Sequence, residues 1–290
     1  MNILVTGSAG FVGSDLVPRL NALGHLTIGI DILDEHLSKM FFRHNLEEPF
    51  PYDLPRVDVC IHLASSVGGI VFNVLQTDIA ATNNKINETV IDLCHKTKCT
   101  KVVYFSTINV FERSEEFIHQ KIDTLDQYSN YAISKVEGEW LFEKSFDDLI
   151  IIRPTNIFGK YQVRRHTKVG ESHVIPDLLK KIDDSQELEV FGDGSQIRNF
   201  IHVSDITKFV VRNIISINGR RYFNLRSDNT ITIKQLVQDL LRSRLKSMPV
   251  KYLPVYLKYE LFTIRNFDID IPIRNKFEIT VNSIIQGLEF

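Results

Sequence analysis

The chain has 290 residues, room for one large domain or about two ordinary ones. Apolar residues make up 43% and charged residues 24%, the balance of a globular protein and not of a disordered one. Lys plus Arg is 34 and Asp plus Glu is 36, so the chain lacks the basic excess of proteins that grip nucleic acid through its phosphates.

Ile3-Leu4-Val5 reads as a buried strand. A glycine-rich turn follows, then Phe11, Val12, Leu16, Val17 and Leu20 at helical spacing. Gly24 ends that helix, and Leu26 to Ile30 forms a second strand that stops at Asp31. Val57 to Leu63 is a third strand, Asp78 to Lys96 a long helix, and Lys101 to Ser106 a fourth strand. Tyr131 to Lys144 has a helical pattern, and Leu149 to Ile152 is a strand closed by Pro154. Beyond it, helices are expected over Pro176 to Ile182, Val203 to Ile217 and Ile233 to Leu245, with strands over Leu188 to Phe191 and Arg221 to Leu225. Apolar strands alternating with helices predict an α/β fold, a doubly wound parallel (Rossmann) sheet covered on both faces, with a small interleaved α/β lobe.

Cys60, Cys94 and Cys99 form no CxxC pair, which speaks against a disulfide framework and a zinc site, so no metal is expected. Cys94 and Cys99, around a helix end, read as core. No apolar run approaches the roughly 18 residues that span a bilayer. Met1 to Gly7 shows neither a basic start nor a small-residue cleavage site. The expectation is a soluble, cytoplasmic protein with neither membrane nor nucleic acid as partner.

Gly7, Gly10 and Gly13 follow the first strand and open the first helix. Gly7 suits a tight turn, Gly10 a close approach of backbone to a pyrophosphate, and Gly13 close packing of helix on strand. Asp31 then lies about twenty residues on, at the end of the second strand, as the dinucleotide fingerprint requires. Its carboxylate suits the adenosine ribose and repels a 2′-phosphate, so NAD is favoured over NADP. No Arg occurs over Ile32 to Leu37 to reverse this. A plain polar strand end is the other reading of Asp31.

Tyr131 and Lys135 are four apart and share one helix face. A nearby ammonium stabilises a phenolate, so such a Tyr serves as acid or base on an alcohol/ketone pair. Ser106 and Thr107 end a strand, where ligands lie in a doubly wound sheet. Thr107 would then face the same substrate oxygen as Tyr131.

Together these pieces resemble the extended short-chain dehydrogenase/reductase family, in particular its NAD-dependent epimerase/dehydratase branch that modifies nucleotide sugars. The likeness runs through Gly7 to Gly13, Asp31, Ile61 to Ala64, Phe105 to Thr107, Tyr131 with Lys135, and Arg153 to Gly159. It continues through Phe191 to Phe200, Val203, Asp205 and Ile285 to Leu288. It implies Thr107, Tyr131 and Lys135 as catalytic residues. It implies cofactor contacts from Gly7, Gly10, Phe11, Val12, Gly13, Asp31, Asn45, Leu46, Leu63, Ala64, Ser65, Asn83, Ser106, Tyr131, Lys135 and Pro154. Substrate contacts would come from Thr107, Asn156, His173, Val174 and Arg198. Arg198 matches a diphosphate-binding position, for which its planar fork is suited, although a surface ion pair is the alternative. His173 could equally be a helix-entry histidine packed beside Pro176.

Departures from the pattern narrow the reaction. Dehydratase relatives carry an Asp-Glu pair just after the catalytic Thr, where this chain has Ile108 and Asn109. Asn109 also departs from the Glu of decarboxylase relatives. Ser66 to Ile70 and Ser172 to Pro176 resemble the GDP-fucose synthase and GDP-mannose 3,5-epimerase branch, whose Cys base has no counterpart beside Thr107. Asn199 stands where the family often has Asp. Asn45-Leu46 lacks the usual Asp before the apolar residue near adenine, and Phe111-Glu112 replaces Tyr-Gly.

Three functions remain. The first is an NAD-dependent nucleotide-sugar epimerase working through a transient 4-keto sugar. The second is a 4-keto-nucleotide-sugar reductase, and the third a non-catalytic dinucleotide-binding protein. The NAD lobe is expected over residues 1–160 and 195–227, the nucleotide-sugar lobe over 161–194 and 228–290. The family resemblance suggests a homodimer through the helices Asp78 to Lys96 and Tyr131 to Lys144. Their apolar residues Ile86, Val90, Leu93, Trp140 and Leu141 could equally be core. The basic loop Gln162 to Gly170 reads either as a closure over the diphosphate or as a solvated loop.

Overall fold

A computed structural model of the protein describes residues 1–34, 37–68, 78–111, 129–159 and 173–253. The first half runs β1 (Asn2–Thr6), α1 (Phe11–Ala22), β2 (Leu26–Asp31), β3 (Met40–Arg43), β4 (Val59–His62), α2 (Ile79–Lys96) and β5 (Lys101–Phe105). A short 3-10 turn (Ile108–Phe111) precedes α3 (Asn130–Ser145), β6 (Asp148–Pro154) and β7 (Asn156–Phe158). The chain continues through α4 (Val174–Asp184), β8 (Leu188–Phe191), β9 (Ile197–His202), α5 (Val203–Asn213) and β10 (Arg221–Leu225). It closes on β11 (Thr230–Thr232), α6 (Ile233–Ser243) and β12 (Val250–Leu253).

Seven strands form one parallel sheet in the order β10-β6-β5-β4-β1-β2-β3. The order reverses between β1 and β4, so their carboxyl ends open the crevice in which such sheets hold ligands. Alternation along the strands sends side chains to two cores. Leu4, Cys60, Val102 and Tyr104 pack with Ile86, Val90 and Phe142 of α2 and α3 on one face. Ile3, Val5, Ile61 and Val103 pack with Leu16, Leu20, Ile206 and Val210 of α1 and α5 on the other. Ile86, Val90 and Leu93 thus belong to the chain's own core, while Trp140 lies on a small cluster with Phe111 and Val136. The expected doubly wound α/β sheet is present.

A third core gathers Ile175, Leu178 and Ile182 of α4, Leu188 and Val190 of β8, and Leu236 and Leu240 of α6. It underlies a three-stranded sheet, β11-β9-β7, and the β12-β8 pair. The strands β3, β7, β9, β11 and β12 are additions to the predicted set. Each is short, and most are only partly buried, which leaves little hydrophobic period to read. Two helices stop before their predicted ends: α5 at Asn213, and α6 at Ser243 before Leu245 enters a left-handed conformation (φ 50°).

Candidate active site

The glycine turn is set by close approach. Gly7 has φ 68°, a left-handed value that disfavours a side chain. A Cβ there would also lie 2.8 Å from the backbone nitrogen of Ala64. A Cβ on Gly13 would lie 2.3 Å from the Gly7 carbonyl oxygen, so the first helical turn rests directly on the loop. Gly10 is different: φ −66° and ψ 174° suit any residue. Gly10 precedes α1, which has neither a side-chain cap nor an acidic residue in its first turn. Helix geometry leaves the N–H groups of Phe11, Val12 and Gly13 without intrahelical acceptors, a ready site for an anion. These features fit the pyrophosphate of a dinucleotide.

Asp31 is more than a polar strand end. Its Oδ2 accepts from the Ala9 N–H (3.0 Å) and its Oδ1 from the Leu33 N–H (3.0 Å). The carboxylate thus ties the glycine turn to the end of β2 and still has lone pairs for a ribose. Arg43, which lies beyond positions 32–37, is its register partner on β3. The Arg43 guanidinium donates to the Ile32 carbonyl (3.2 Å) and pairs with Asp34 (3.1 Å). The two stand twelve positions apart in the chain, and only the β2–β3 pairing brings them together. Asn45 is exposed and accepts from the Glu47 N–H (3.2 Å), forming a turn, while Leu46 is buried in the first core.

The end of β4 is held by a buried polar chain. Thr6 Oγ1 lies 2.7 Å from His62 Nδ1, and His62 Nε2 lies 2.9 Å from Asn87 Oδ1. Burial holds the imidazole neutral, with its pKa pulled down to about 3. Thr6 also accepts from the Ala64 N–H (3.3 Å), and Leu63 N–H donates to the Thr6 carbonyl (3.1 Å). Asn83, on α2, accepts from the Ser66 N–H (2.7 Å) and the Ser65 hydroxyl (3.2 Å) and donates to Ser134 Oγ (3.0 Å) on α3. Asn83 therefore fastens the loop after β4 to the helix that carries Tyr131.

Lys135 is buried beside that loop. Its Nζ donates to the Phe105 carbonyl (3.0 Å) at the end of β5 and lies 5.8 Å from the Tyr131 ring centroid and 5.3 Å from that of Tyr104. Burial pulls its pKa down to about 8, against an opposing pull from Glu139. Ser129 caps α3 by accepting from the Ala132 N–H (3.1 Å), which sets where Tyr131 enters the helix. Ser106 and Thr107 follow Phe105 directly and are buried, and Thr107 Oγ1 accepts from the Asn109 N–H (3.3 Å). Ile108 is buried apolar, so no carboxylate follows Thr107. The three cysteines are buried far along the sheet, near the α2 end. Hydrogen bonding to Cys60 and burial push the Cys94 thiol up, and contact with Cys94 and burial do the same to Cys99. Neither of these two is an activated nucleophile.

The residues expected at the sugar side lie on the smaller sheet and its helix. Asn156, two residues past Pro154, donates its amide to the Asn199 carbonyl (3.0 Å) and so joins β7 to β9. Arg198 is on β9, opposite Ile231, and burial lowers its pKa to about 10. His173 stands at the start of α4 without a side-chain cap bond, and Val174 opens the helix. Asn199 explains its own departure from the family pattern. Its Nδ2 donates to the carbonyls of Ser227 (2.8 Å) and Asn229 (2.7 Å), while Oδ1 accepts from Thr155 Oγ1 (2.8 Å) and the Ser227 N–H (3.0 Å). A carboxylate could not make the first two bonds. Residues 69–70, 112, 162–170, 172 and 285–288, which entered the sequence reading, lie outside the described residues.

A parallel doubly wound sheet, a close-packed glycine turn ahead of α1, an Asp at the end of β2 and a helix that sets a buried Lys135 beside Tyr131 are the features of a dinucleotide-dependent enzyme of the short-chain dehydrogenase type. The model of the NAD dependent epimerase/dehydratase family matches residues 3–224, and the chain belongs to that family. It is 26% identical over 235 residues to a dTDP-4-dehydro-6-deoxy-D-allose reductase from Streptomyces sp, covering 72% of this chain and 71% of the relative. It is 26% identical over 258 residues to a UDP-glucose 4-epimerase from Mycolicibacterium smegmatis, covering 81% and 80%. The crystal structure of a Thermotoga maritima UDP-glucose 4-epimerase with UDP-glucose shares the fold, with a TM-score of 0.75 at 22% identity over 100% of both chains. Among the described residues, no helix is long and apolar enough to cross a membrane, and no group of three or more His, Cys, Asp or Glu is placed to hold a metal.

Proposed function

We propose that the protein is an NAD-dependent nucleotide-sugar epimerase that works through a transient 4-keto sugar. The observation that carries this reading is the buried Lys135, held on the Phe105 carbonyl and facing the Tyr131 ring at the end of β5. The Lys135 ammonium stabilises the Tyr131 phenolate, which takes the proton of the sugar C4 hydroxyl. Thr107 donates to the same oxygen and keeps it in line with Tyr131. NAD, which the glycine turn and Asp31 would hold, would supply the hydride acceptor and donor for C4. When the ketone is reduced from its other face, Tyr131 gives the proton back, so the sugar is inverted and no net redox change remains. Asp31 would hold the adenosine ribose and favour NAD over NADP, and the α1 N-terminus would hold the pyrophosphate. Asn156, His173, Val174 and Arg198 would hold the diphosphate and sugar, with residues 1–160 and 195–227 as the NAD lobe and the remainder as the sugar lobe.

A 4-keto-nucleotide-sugar reductase is the second reading, favoured by the likeness to the Streptomyces reductase. The absence of any acid or base at Ile108 argues against elimination of water. To choose, the purified protein is denatured and released nucleotide is measured. Stoichiometric NAD, with C4 inversion of one member of a UDP-, GDP-, dTDP- and CDP-sugar panel, supports the epimerase. An empty protein that oxidises added NADPH with a 4-keto nucleotide sugar supports the reductase, and failure of both refutes the enzyme reading.

A further inference from the structure

The helix face that carries Tyr131 and Lys135 continues to Glu139. Residues spaced by four stack along one side of a helix, so these three form a row on α3. Glu139 is buried, and its two carboxylate oxygens accept from Nε (2.8 Å) and a terminal nitrogen (2.5 Å) of Arg153. Arg153 is 2% exposed and stands on β6 just before Pro154. Its guanidinium carbon lies 5.3 Å from the Phe111 ring and 5.1 Å from the Tyr222 ring. One guanidinium therefore touches the Tyr–Lys helix, the turn that follows Thr107, and the neighbouring strand β10. A buried ion pair is a poor source of stability, because desolvation of both charges offsets their attraction. Its placement where the Tyr131–Lys135 helix meets the turn after Thr107 gives it a position from which it can act on the site.

We propose that the Glu139–Arg153 pair is a positioning and charge-setting element for the Tyr131–Lys135 dyad. The fork holds α3 in register with β6 and the Thr107 turn. The Glu139 carboxylate, one helical turn from Lys135, helps keep its ammonium charged in a dry site, and Arg153 limits how much of that negative charge Lys135 feels. The inference rests on the reading of Tyr131 and Lys135 as the acid–base pair.

The groups facing Lys135 are His62 from β4, Tyr104 from β5, Tyr131 and Glu139 from α3, and beyond Glu139 the Arg153 of β6. Burial keeps His62 neutral and pushes the Tyr104 phenol up, so neither is charged near neutral pH. Burial disfavours the Lys135 ammonium and Glu139 favours it. Glu139→Gln keeps the shape, removes the carboxylate charge and exposes Lys135 to the guanidinium, so Lys135 loses its proton at lower pH. Arg153→Gln uncovers the carboxylate and shifts deprotonation upward. The double variant restores the charge balance.

The test follows the Lys135 Nζ signal by NMR in the full-length protein labelled with ζ-nitrogen-15 lysine, assigned by its loss in Lys135→Arg. It needs neither substrate nor NAD. The expected midpoint moves by about one pH unit down in Glu139→Gln and about one up in Arg153→Gln, and returns to within about 0.3 in the double variant. If one single variant fails to fold, the sign of the other decides. Arg153→Lys, which keeps both charges, should hold the midpoint of the native protein, and a shift there above about half a unit overturns the charge account. A folded single variant with an unmoved midpoint, or a double variant shifted as far as a single one, also overturns it. Native protein that releases no NAD and turns over no sugar, beside variants that shift as stated, would sink the acid–base reading and leave the charge coupling standing.

Discussion

Replacing Lys135 by methionine should stabilise the protein near pH 7 while ending turnover. Lys135 is 5% exposed, and burial pulls its pKa from the ordinary 10.5 to about 8. That depression corresponds to roughly 3 kcal/mol by which the fold disfavours the ammonium. Methionine is unbranched and fills a similar path without the charge. The lost bond to the Phe105 carbonyl takes back about 1 kcal/mol, leaving a net gain on the order of 2 kcal/mol. For a chain of this size, that raises Tm by roughly 3 °C. The pH dependence fixes the cause. Between pH 8 and 10.5 the unfolded chain holds the Lys135 proton and the folded one does not, so native stability rises with pH across that window. The advantage of the variant is therefore full below pH 8 and fades towards pH 10.5. Thermal melts of both proteins from pH 6 upward measure this. A variant less stable at pH 7, or a gap that stays constant across the window, would refute the reasoning.

Tyr131→Phe removes only the hydroxyl, so turnover should fall by about 10²–10⁴-fold while NAD affinity stays nearly unchanged; a fully active variant would exclude Tyr131 as the acid–base group. Gly13→Ala drives a Cβ to 2.3 Å from the Gly7 carbonyl and 2.5 Å from that of Ser8. Both are backbone atoms that cannot swing aside, so roughly 1–3 kcal/mol of stability and the retained NAD should be lost together, as melts and nucleotide release would record. Asn199→Asp replaces two donated bonds with a carboxylate facing the carbonyls of Ser227 and Asn229. Urea titration should show a loss of roughly 2–4 kcal/mol at pH 7. The site raises that carboxyl's folded pKa above its unfolded value, so the loss should shrink as pH falls towards 4 and the group protonates. Equal stability at pH 7 would show that the amide is not needed.

The long central strands were legible because each carries an unbroken apolar run, as in β1, β4, β5 and β6, and β2 had Asp31 to mark its end. The row of Gly7, Gly10 and Gly13 was legible because spacing alone carries the turn. What escaped was whatever depended on a partner distant in the chain. β3 has only half-buried and exposed residues, so neither the strand nor the placement of Arg43 beside Asp31 could be read. Asn83 looked like one more cofactor contact, and its clamp on Ser66 and Ser134 appears only when α2 and α3 pack together. Arg153 passed as part of a motif, because a bidentate partner fourteen residues away on a helix leaves no periodic trace.

The sequence by itself determined that this chain forms a doubly wound sheet with a glycine turn after its first strand, an Asp closing its second strand, and a Thr, Tyr and Lys in the order of its family. Local spacing and hydrophobic period encode those features, and each is complete within a few residues. Only the tertiary structure decided how the features are held. Packing of α2 and α3 on the sheet buries Lys135 on the Phe105 carbonyl, closes the Thr6–His62–Asn87 chain under the loop, and sets Arg153 against Glu139. Burial is the physical reason: removing water turns those polar groups from solvated side chains into oriented charges and dipoles. A property of three-dimensional surroundings has no spacing along the chain from which it could be read.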